Sequence, residues 1–265
     1  MLTFIGVCTA YIAGGGIFSG RLLFVLAVVL LATAGANGLT NYIDRDIDAR
    51  MLRTRNRALP SKRICPPGKV LPLIAVLIIA GLFLSWLLHP YVFIADIVGT
   101  VAAATWRKRV TCVYPQGAIA SGAPVAMGWL VLNPVLSWTL ILLLFVVALW
   151  LPLHVWSLMI AHREDYLQAG INYFPVNYDT RAVAKIILVF SMALHATSVA
   201  LYFVGGFGWL YLTLANLLGI IMVYAGWRLI ISNANKDALR VYKLSSFPYL
   251  GMIFLVICLD IWLLK

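Results

Sequence analysis

Charge is scarce in this chain. Only 11% of its 265 residues are Asp, Glu, Lys or Arg, and nine of those are acidic. Together with a hydrophobic content of 63% and a mean hydropathy of +0.97, this scarcity excludes a soluble globular domain and indicates an integral membrane protein. The four cysteines stand singly, without a Cys-x-x-Cys pair, so the spacing of a structural zinc site is missing and packing roles are expected.

The apolar residues fall into nine windows separated by turn signals. Each window is apolar all round, which is typical of helices in lipid. The first lacks the basic start of a cleavable signal, so we expect it to remain as a span. We predict an all-α integral membrane protein in which residues 1–265 form a single domain, a bundle of about nine transmembrane helices. The windows lie near residues 2–19, 22–43, 70–88, 91–106, 113–132, 135–160, 182–204, 207–231 and 246–264.

Basic residues gather on one side of the predicted bundle. The loops after the second, fourth, sixth and eighth windows, with their edges, hold 18 of the 20 Lys and Arg residues. The positive-inside rule then predicts a multi-pass protein of the cell membrane, with this face and the N-terminus cytoplasmic and the C-terminus outside. The net charge of +11 therefore describes a membrane face that attracts anionic membrane lipid, and nucleic acid is not an expected partner.

A few polar residues fall inside the windows. Asp96 and Asp260, the two acids on the opposite side, stand near the outer ends of their windows, where a charge costs less than at the bilayer centre, and they are predicted to be tolerated interfacial groups. His195, near the middle of the seventh window, is predicted to be a hydrogen-bonded packing residue.

The segment that follows the second window is the most informative one. On a helix that continues this window, Asp44 and Asp48 share a face with Cβ atoms about 5–6 Å apart, Asn41 lies one turn earlier on nearly the same side, and Asp46 points elsewhere. Two carboxylates on one face repel each other. Mg²⁺, which is usually held by one or two carboxylates plus substrate phosphates, relieves that repulsion.

Arginines follow these acids at once. Arg53, Arg55 and Arg57 supply forked donors that suit phosphate oxygens, so acids and bases together predict a metal–diphosphate site. The alternative is a solvated interfacial loop in which the arginines contact lipid and pair with the aspartates. Two other segments of the same face carry charge: the basic triplet 107–109 after the fourth window, and an acidic cluster around Asp165 after the sixth. These segments are predicted to surround one cytoplasm-facing cavity that opens toward lipid.

These motifs resemble the UbiA-type intramembrane prenyltransferases. The stretch from Asn41 to Arg57 is similar to the branch of that family that farnesylates heme, and His154-Val155-Trp156 with Asp165-Tyr166 resembles its second characteristic stretch. The resemblance covers most of the chain. One departure is Thr40, which stands where the superfamily has its first Asn and leaves Asn41 as the nearest amide.

The resemblance implies Mg²⁺-dependent transfer of a farnesyl group from farnesyl diphosphate to the vinyl group of heme b, giving heme O. Heme A synthase or terminal oxidase assembly would then receive the product. The roles it implies are catalysis and metal binding by Asp44, Asp48 and Asp165, metal binding also by Asn41, diphosphate binding by Arg53, Arg57, Lys108 and Arg109, and an acceptor pocket containing His154, Trp156 and Tyr166.

Two other functions remain open at this stage. A prenyltransferase of the same fold would act on a quinone precursor or an archaeal lipid instead of heme. A transporter would need ionisable groups along an intramembrane path or helices broken near the midplane. The centres of these windows carry almost no charge, which disfavours transport.

Overall fold

The computed structural model describes residues 1–105 and 113–264, and within these ranges it contains helices, turns and no strand. A single 3₁₀ turn, Pro67–Val70, precedes the third helix, and a π-helical segment, Ser245–Gly251, joins the last two. The α-helices are α1 Leu2–Ala13, α2 Gly20–Asp48, α3 Leu71–Leu88, α4 Pro90–Thr105, α5 Gln116–Leu130, α6 Trp138–Ala161, α7 Arg163–Gln168, α8 Thr180–Gly205, α9 Trp209–Ser232, α10 Asn235–Leu244 and α11 Met252–Leu264.

The protein is a multi-pass membrane protein. Six segments of the described ranges are long and apolar enough to cross a membrane: Gly20–Asp48, Pro67–Leu88, Trp138–Ala161, Thr180–Gly205, Trp209–Ser232 and Asn235–Leu263. The predicted first window, 2–19, is too long for the helix it contains, because α1 ends at Ala13 and residues 14–19 form a turn. At 1.5 Å per residue its 12 residues extend about 18 Å, short of a hydrocarbon core of about 30 Å.

Small residues let the helices approach closely. A Cβ atom on Gly35 of α2 would lie 2.9 Å from the backbone nitrogen of Ile78, and one on Gly81 of α3 would lie 3.0 Å from the backbone of Ala32. A side chain at Gly35 would force the α3 backbone to shift, because real Cβ atoms essentially never approach so closely, and one at Gly81 would require Ala32 to move by a few tenths of an ångström. Association of apolar helices in lipid depends on this close packing, because no hydrophobic gradient drives it. The α2–α3 pair therefore forms a tight wall next to the charged loop that follows α2.

A break between α10 and α11 shapes the interior. Ser246 has a non-helical ψ of −129°, and Pro248 follows two residues later inside the π-helical segment. A proline inside a helix removes one backbone donor and clashes with the preceding turn, which is the physical cause of the kink. The kink turns the Ser245 carbonyl toward α6, where it accepts a hydrogen bond from the Trp150 indole at 2.5 Å.

Asp260, Asp96 and His195 each have a hydrogen-bond partner inside the spans, although Asp96 Oδ2 is buried without one among the described residues. Asp260 is buried and accepts hydrogen bonds from the backbone N–H groups of Gly208 and of Tyr211, the latter at 3.2 Å, so it caps the N-terminus of α9. Asp96 is also buried, and its Oδ1 accepts from Thr100 at 3.3 Å. His195 contacts Asn216 of α9 at 3.2 Å, which is the packing role predicted for it.

Candidate active site

The acids after the second window lie on a continuous helix. α2 extends five residues beyond the predicted end at 43, through Asp48. Asp44 and Asp48 are therefore one turn apart, and both are buried. The Asp46 side chain, halfway between them in sequence, is 64% exposed and forms an ion pair with Arg45 at 3.8 Å. Helical periodicity thus turns two of the three carboxylates inward.

Arg57 joins both ends of this acidic face. Its Nη1 atom donates to Asp48 Oδ2 at 2.8 Å and to Asn41 Oδ1 at 3.3 Å. Asn41 and Asp48 are seven residues apart, two turns of the helix, which explains why one guanidinium reaches both. The Asp48 side chain is 1% exposed and the Arg57 side chain is 46% exposed, so nearly half of the arginine side chain remains accessible beside a buried carboxylate.

Asp165 links the two acidic segments. Its Oδ1 accepts the backbone N–H of Leu52 at 2.6 Å, and its Oδ2 accepts that of Arg53 at 3.4 Å. Next to it, the Tyr166 hydroxyl accepts from Arg53 Nη2 at 3.4 Å. Burial raises the pKa of the Tyr166 hydroxyl, and the nearby Arg53 partly opposes that rise. Asp165 of the short helix α7 therefore binds the backbone of the loop that follows α2.

The donor atoms suit a hard cation. Asn41, Asp44 and Asp48 offer only oxygen ligands from one side of one helix, which is the chemistry that Mg²⁺ prefers. In the described ranges, however, no three His, Cys, Asp or Glu side chains lie close enough to hold a metal ion together. The Asp165 carboxylate accepts backbone N–H groups, and the predicted ligand set stays a prediction.

A cavity of about 590 Å³ begins at this polar end. Asn41, Asp48 and Arg57 line it there, and the rest of its wall is apolar. The apolar lining comes from α2, from α3 and from the residues between them: Ala34, Gly38, Ala58, Leu59, Pro60, Ile64, Val70, Leu73, Ile74 and Leu77. Its size is that of a small-molecule site. A polar head beside a long apolar wall is the shape of a site for an amphiphile.

The predicted acceptor residues do not share one wall. His154 is stacked on Trp150, with ring centroids 4.7 Å apart, and packs against Tyr242 at 4.5 Å. Trp156 points to another side of α6, where it meets Phe174 and Phe190 edge to face at 4.8 and 5.5 Å. Two residues along a helix are separated by about 200°, so His154 and Trp156 cannot face the same pocket. Tyr166 lies with the loop after α2, as described above.

The ring of His154 has a hydrogen-bonding partner on the π-helical segment. Its Nδ1 lies 3.0 Å from Ser245 Oγ, and the neutral ring donates or accepts there according to its tautomer. Ser245 Oγ also lies 2.8 Å from the Tyr242 carbonyl, to which it can donate.

Several partners were missed by sequence reasoning. The Leu52 and Arg53 amides that bind Asp165 carry no side-chain signal, and Ser245 is one of many serines, although the nearby Pro248 marks a helix break.

Thr40, at the motif position, donates to the carbonyls of Ala36 and Ala103 at 3.0 and 3.3 Å, so its hydroxyl joins α2 to α4. Lys108 and Arg109, predicted to bind diphosphate, lie outside the described residues.

Known proteins resemble this chain along most of its length. The sequence pattern of the UbiA prenyltransferase family matches residues 1–247. A protoheme IX farnesyltransferase from Desulforudis audaxviator is 34% identical over 99% of this chain and 85% of its own length. The chain belongs to the UbiA prenyltransferase family.

Solved structures share the fold. A structure concerned with digeranylgeranylglyceryl phosphate synthase superposes with a TM-score of 0.80 at 20% identity, covering 98% of this chain and 92% of that one. A UbiA homologue from Archaeoglobus fulgidus bound to GPP and Mg²⁺ gives a TM-score of 0.62 at 13% identity, covering 97% and 95%. At these identities the structures show that the fold is shared.

Proposed function

We propose that this protein transfers a farnesyl group from farnesyl diphosphate to a vinyl group of heme b, giving heme O. The observation that carries the proposal is the match to a protoheme IX farnesyltransferase along almost the whole chain. The inward-facing Asp44 and Asp48, with Arg57 beside them, supply a site of the charge pattern that the donor requires.

We assign the metal and diphosphate positions to the polar end of the cavity. Asp44 and Asp48, assisted by Asn41, would hold Mg²⁺, which when bound neutralises negative charge on the departing diphosphate. Asp165 is the further candidate ligand, and it also fixes the loop that presents the basic residues. Arg53, Arg57, Lys108 and Arg109 would bind the phosphate oxygens and stabilise the charge that develops as the C–O bond breaks.

The farnesyl chain would lie along the α2–α3 wall. Ala34 is seven residues from Asn41, about 10 Å along the helix, and the lining between them is apolar. An apolar surrounding excludes water from the allylic cation until the electron-rich vinyl group captures it. We assign His154, Trp156 and Tyr166 to the acceptor side. Since these three residues do not face one pocket, His154 and Trp156 would contact different parts of the porphyrin environment.

The architecture that we propose is one domain over residues 1–265, with about nine membrane helices and the cavity open toward the cytoplasm. The N-terminus would be inside and the C-terminus outside in the cell membrane, as the placement of basic residues predicts. Heme A synthase or the assembly of a terminal oxidase would take the product.

The direct test is co-expression with a source of heme b and farnesyl diphosphate, followed by mass spectrometry of the extracted heme. The expected product is heavier than heme b by a farnesyl group plus a hydroxyl group, because water adds to the cation left on the porphyrin side chain after the new C–C bond forms and a proton is released. Chelation of Mg²⁺ should abolish its formation until the metal is restored. An unshifted heme in the presence of folded protein would contradict the acceptor. Parallel reactions with a quinone precursor or a glyceryl phosphate lipid would then identify the alternative acceptor.

A further inference from the structure

A second groove lies apart from the α2–α3 cavity, between the end of α9 and the helix α10. Its volume is about 290 Å³. Ile221, Ala225 and Leu244 form its apolar wall, and Arg228 and Arg240 stand at its polar end. None of these residues has a role in the proposed reaction.

One carboxylate holds both arginines in place. Asp237 Oδ1 lies 3.3 Å from Arg228 Nε and 2.7 Å from Arg240 Nη1. The Asp237 side chain is 10% exposed, whereas the two arginine side chains are 49% and 45% exposed. Two cations thus share one anion, and each guanidinium has five N–H donors. The pair keeps an excess positive charge and further donors in a fixed orientation.

The surrounding surface adds to this charge. Lys236, Arg240 and Lys243 are all exposed, and their spacing of four and three residues places them on one face of α10. Ala238 and Val241 on another face are buried against the rest of the protein. α10 is therefore an amphipathic helix that presents a basic stripe next to the groove.

Aromatic residues indicate the depth of the groove in the membrane. Tyr224 and Trp227 are exposed on the last turns of α9, with ring centroids 6.0 Å apart. Exposed Tyr and Trp at a helix end are typical of the lipid headgroup level. Ile220 and Ile221, one turn earlier, are also exposed, so the apolar wall continues toward the hydrocarbon region.

We propose that this groove binds an anionic phospholipid. The phosphate would accept hydrogen bonds from Arg228 and Arg240, and one acyl chain would lie on Ile221 and Leu244. Charge complementarity requires an anion, and the apolar wall at headgroup depth selects a lipid over free phosphate. The proposal is independent of the prenyl acceptor.

Native mass spectrometry of the purified protein in detergent tests this site, with phosphatidylglycerol and phosphatidylcholine as the added lipids. We expect the parent to prefer phosphatidylglycerol by about tenfold or more, because its headgroup has a net negative charge, whereas the choline cation of phosphatidylcholine offsets the phosphate that both lipids share. The double variant Arg228→Gln/Arg240→Gln should lose this preference. The matched control Arg181→Gln/Lys185→Gln removes two exposed basic residues of α8 and should keep it.

Folding is checked by monodisperse elution and by retained prenyl transfer in detergent. Because the double variant leaves Asp237 without its partners, the triple variant Arg228→Gln/Asp237→Asn/Arg240→Gln gives the deciding result if the double variant does not elute as folded protein. The proposal is overturned if phosphatidylglycerol preference survives in the folded variant or falls equally in the control. Displacement of bound lipid by millimolar inorganic phosphate would also overturn it.

Discussion

Asp46 and Asp48 belong to one short motif and have opposite environments. The side chain of Asp46 is open to solvent, and that of Asp48 is buried and bonded to Arg57. The difference follows from the 100° rotation per residue of α2, so the motif contains its own control. Chemistry that depends on the buried face should be sensitive to one of these carboxylates and insensitive to the other.

Replacing Asp48 by Asn should reduce prenyl transfer by about 100-fold, because the change removes a negative charge from the face that would hold the metal and leaves Arg57 without its ionic partner. Asp46→Asn should stay within about twofold, as expected for an exposed surface pair. Both rates are measured as product formed in purified membranes with equal amounts of protein. If both variants lost activity equally, the proposed site would not lie on this face of α2.

A second residue-scale prediction concerns Asp165. Asp165→Ala leaves the Leu52 and Arg53 amides without their acceptor, at a cost of about 1–3 kcal/mol for unsatisfied donors. Hydrogen exchange of residues 49–57 should accelerate, and activity should fall with it. Asp179→Ala, which removes the cap on the Ala182 amide, is the matched control and should accelerate exchange at the start of α8 only. Unchanged exchange at Leu52 would show that Asp165 does not hold the loop.

The side-chain spacing of Asp44 and Asp48 is readable from sequence because it depends on one helix alone. The contact between Asp165 and Leu52 is not readable, since it joins residues 113 positions apart through a backbone amide that any residue would supply. The grouping of His154 with Trp156 has the same limit, because which face of α6 meets α8 or α10 depends on packing.

At the scale of helices, hydropathy windows locate each helix but do not give its ends. Helices occupy the windows, but α1 ends early and α2 continues past its window, since hydropathy does not register the glycines at 14–16 or the charged residues that remain helical. The α2–α3 wall likewise depends on Gly35 and Gly81, whose role appears only once the two helices are in contact.

The apolar cavity at this wall gives an element-scale prediction. Ala34→Phe should narrow the cavity seven residues from Asn41 along α2, so that the reaction with farnesyl diphosphate slows by about tenfold or more while geranyl diphosphate, with its shorter tail, is less affected. Leu30→Phe, an exposed position one turn earlier on α2, should leave both rates unchanged. The comparison uses kcat/KM for the two donors, and equal losses for both would place the tail elsewhere.

For the whole molecule, the charged face and its orientation can be tested chemically. Cys65 is exposed in the loop between α2 and α3. In a variant with the other three cysteines replaced by Ala, a membrane-permeant maleimide should label Cys65 in intact cells, and an impermeant one should label it only after permeabilisation. Cys65→Ala combined with Val135→Cys, an exposed position between α5 and α6, should show the reverse access to the impermeant reagent. Labelling of Cys65 by the impermeant reagent in intact cells would invert the predicted topology.

The length of α2 has a kinetic consequence. Its 29 residues extend about 43 Å, which exceeds the hydrocarbon thickness by about 13 Å, so a helix that crosses the bilayer would bring its acidic end to the level of water and ions and keep Ala34 at acyl-chain depth. The proposed amphiphilic donor would then be captured at the depth where it already resides, without being extracted from the bilayer. The velocity would follow the two-dimensional density of the donor in the membrane, and adding inert lipid at constant bulk concentration would slow the enzyme by surface dilution.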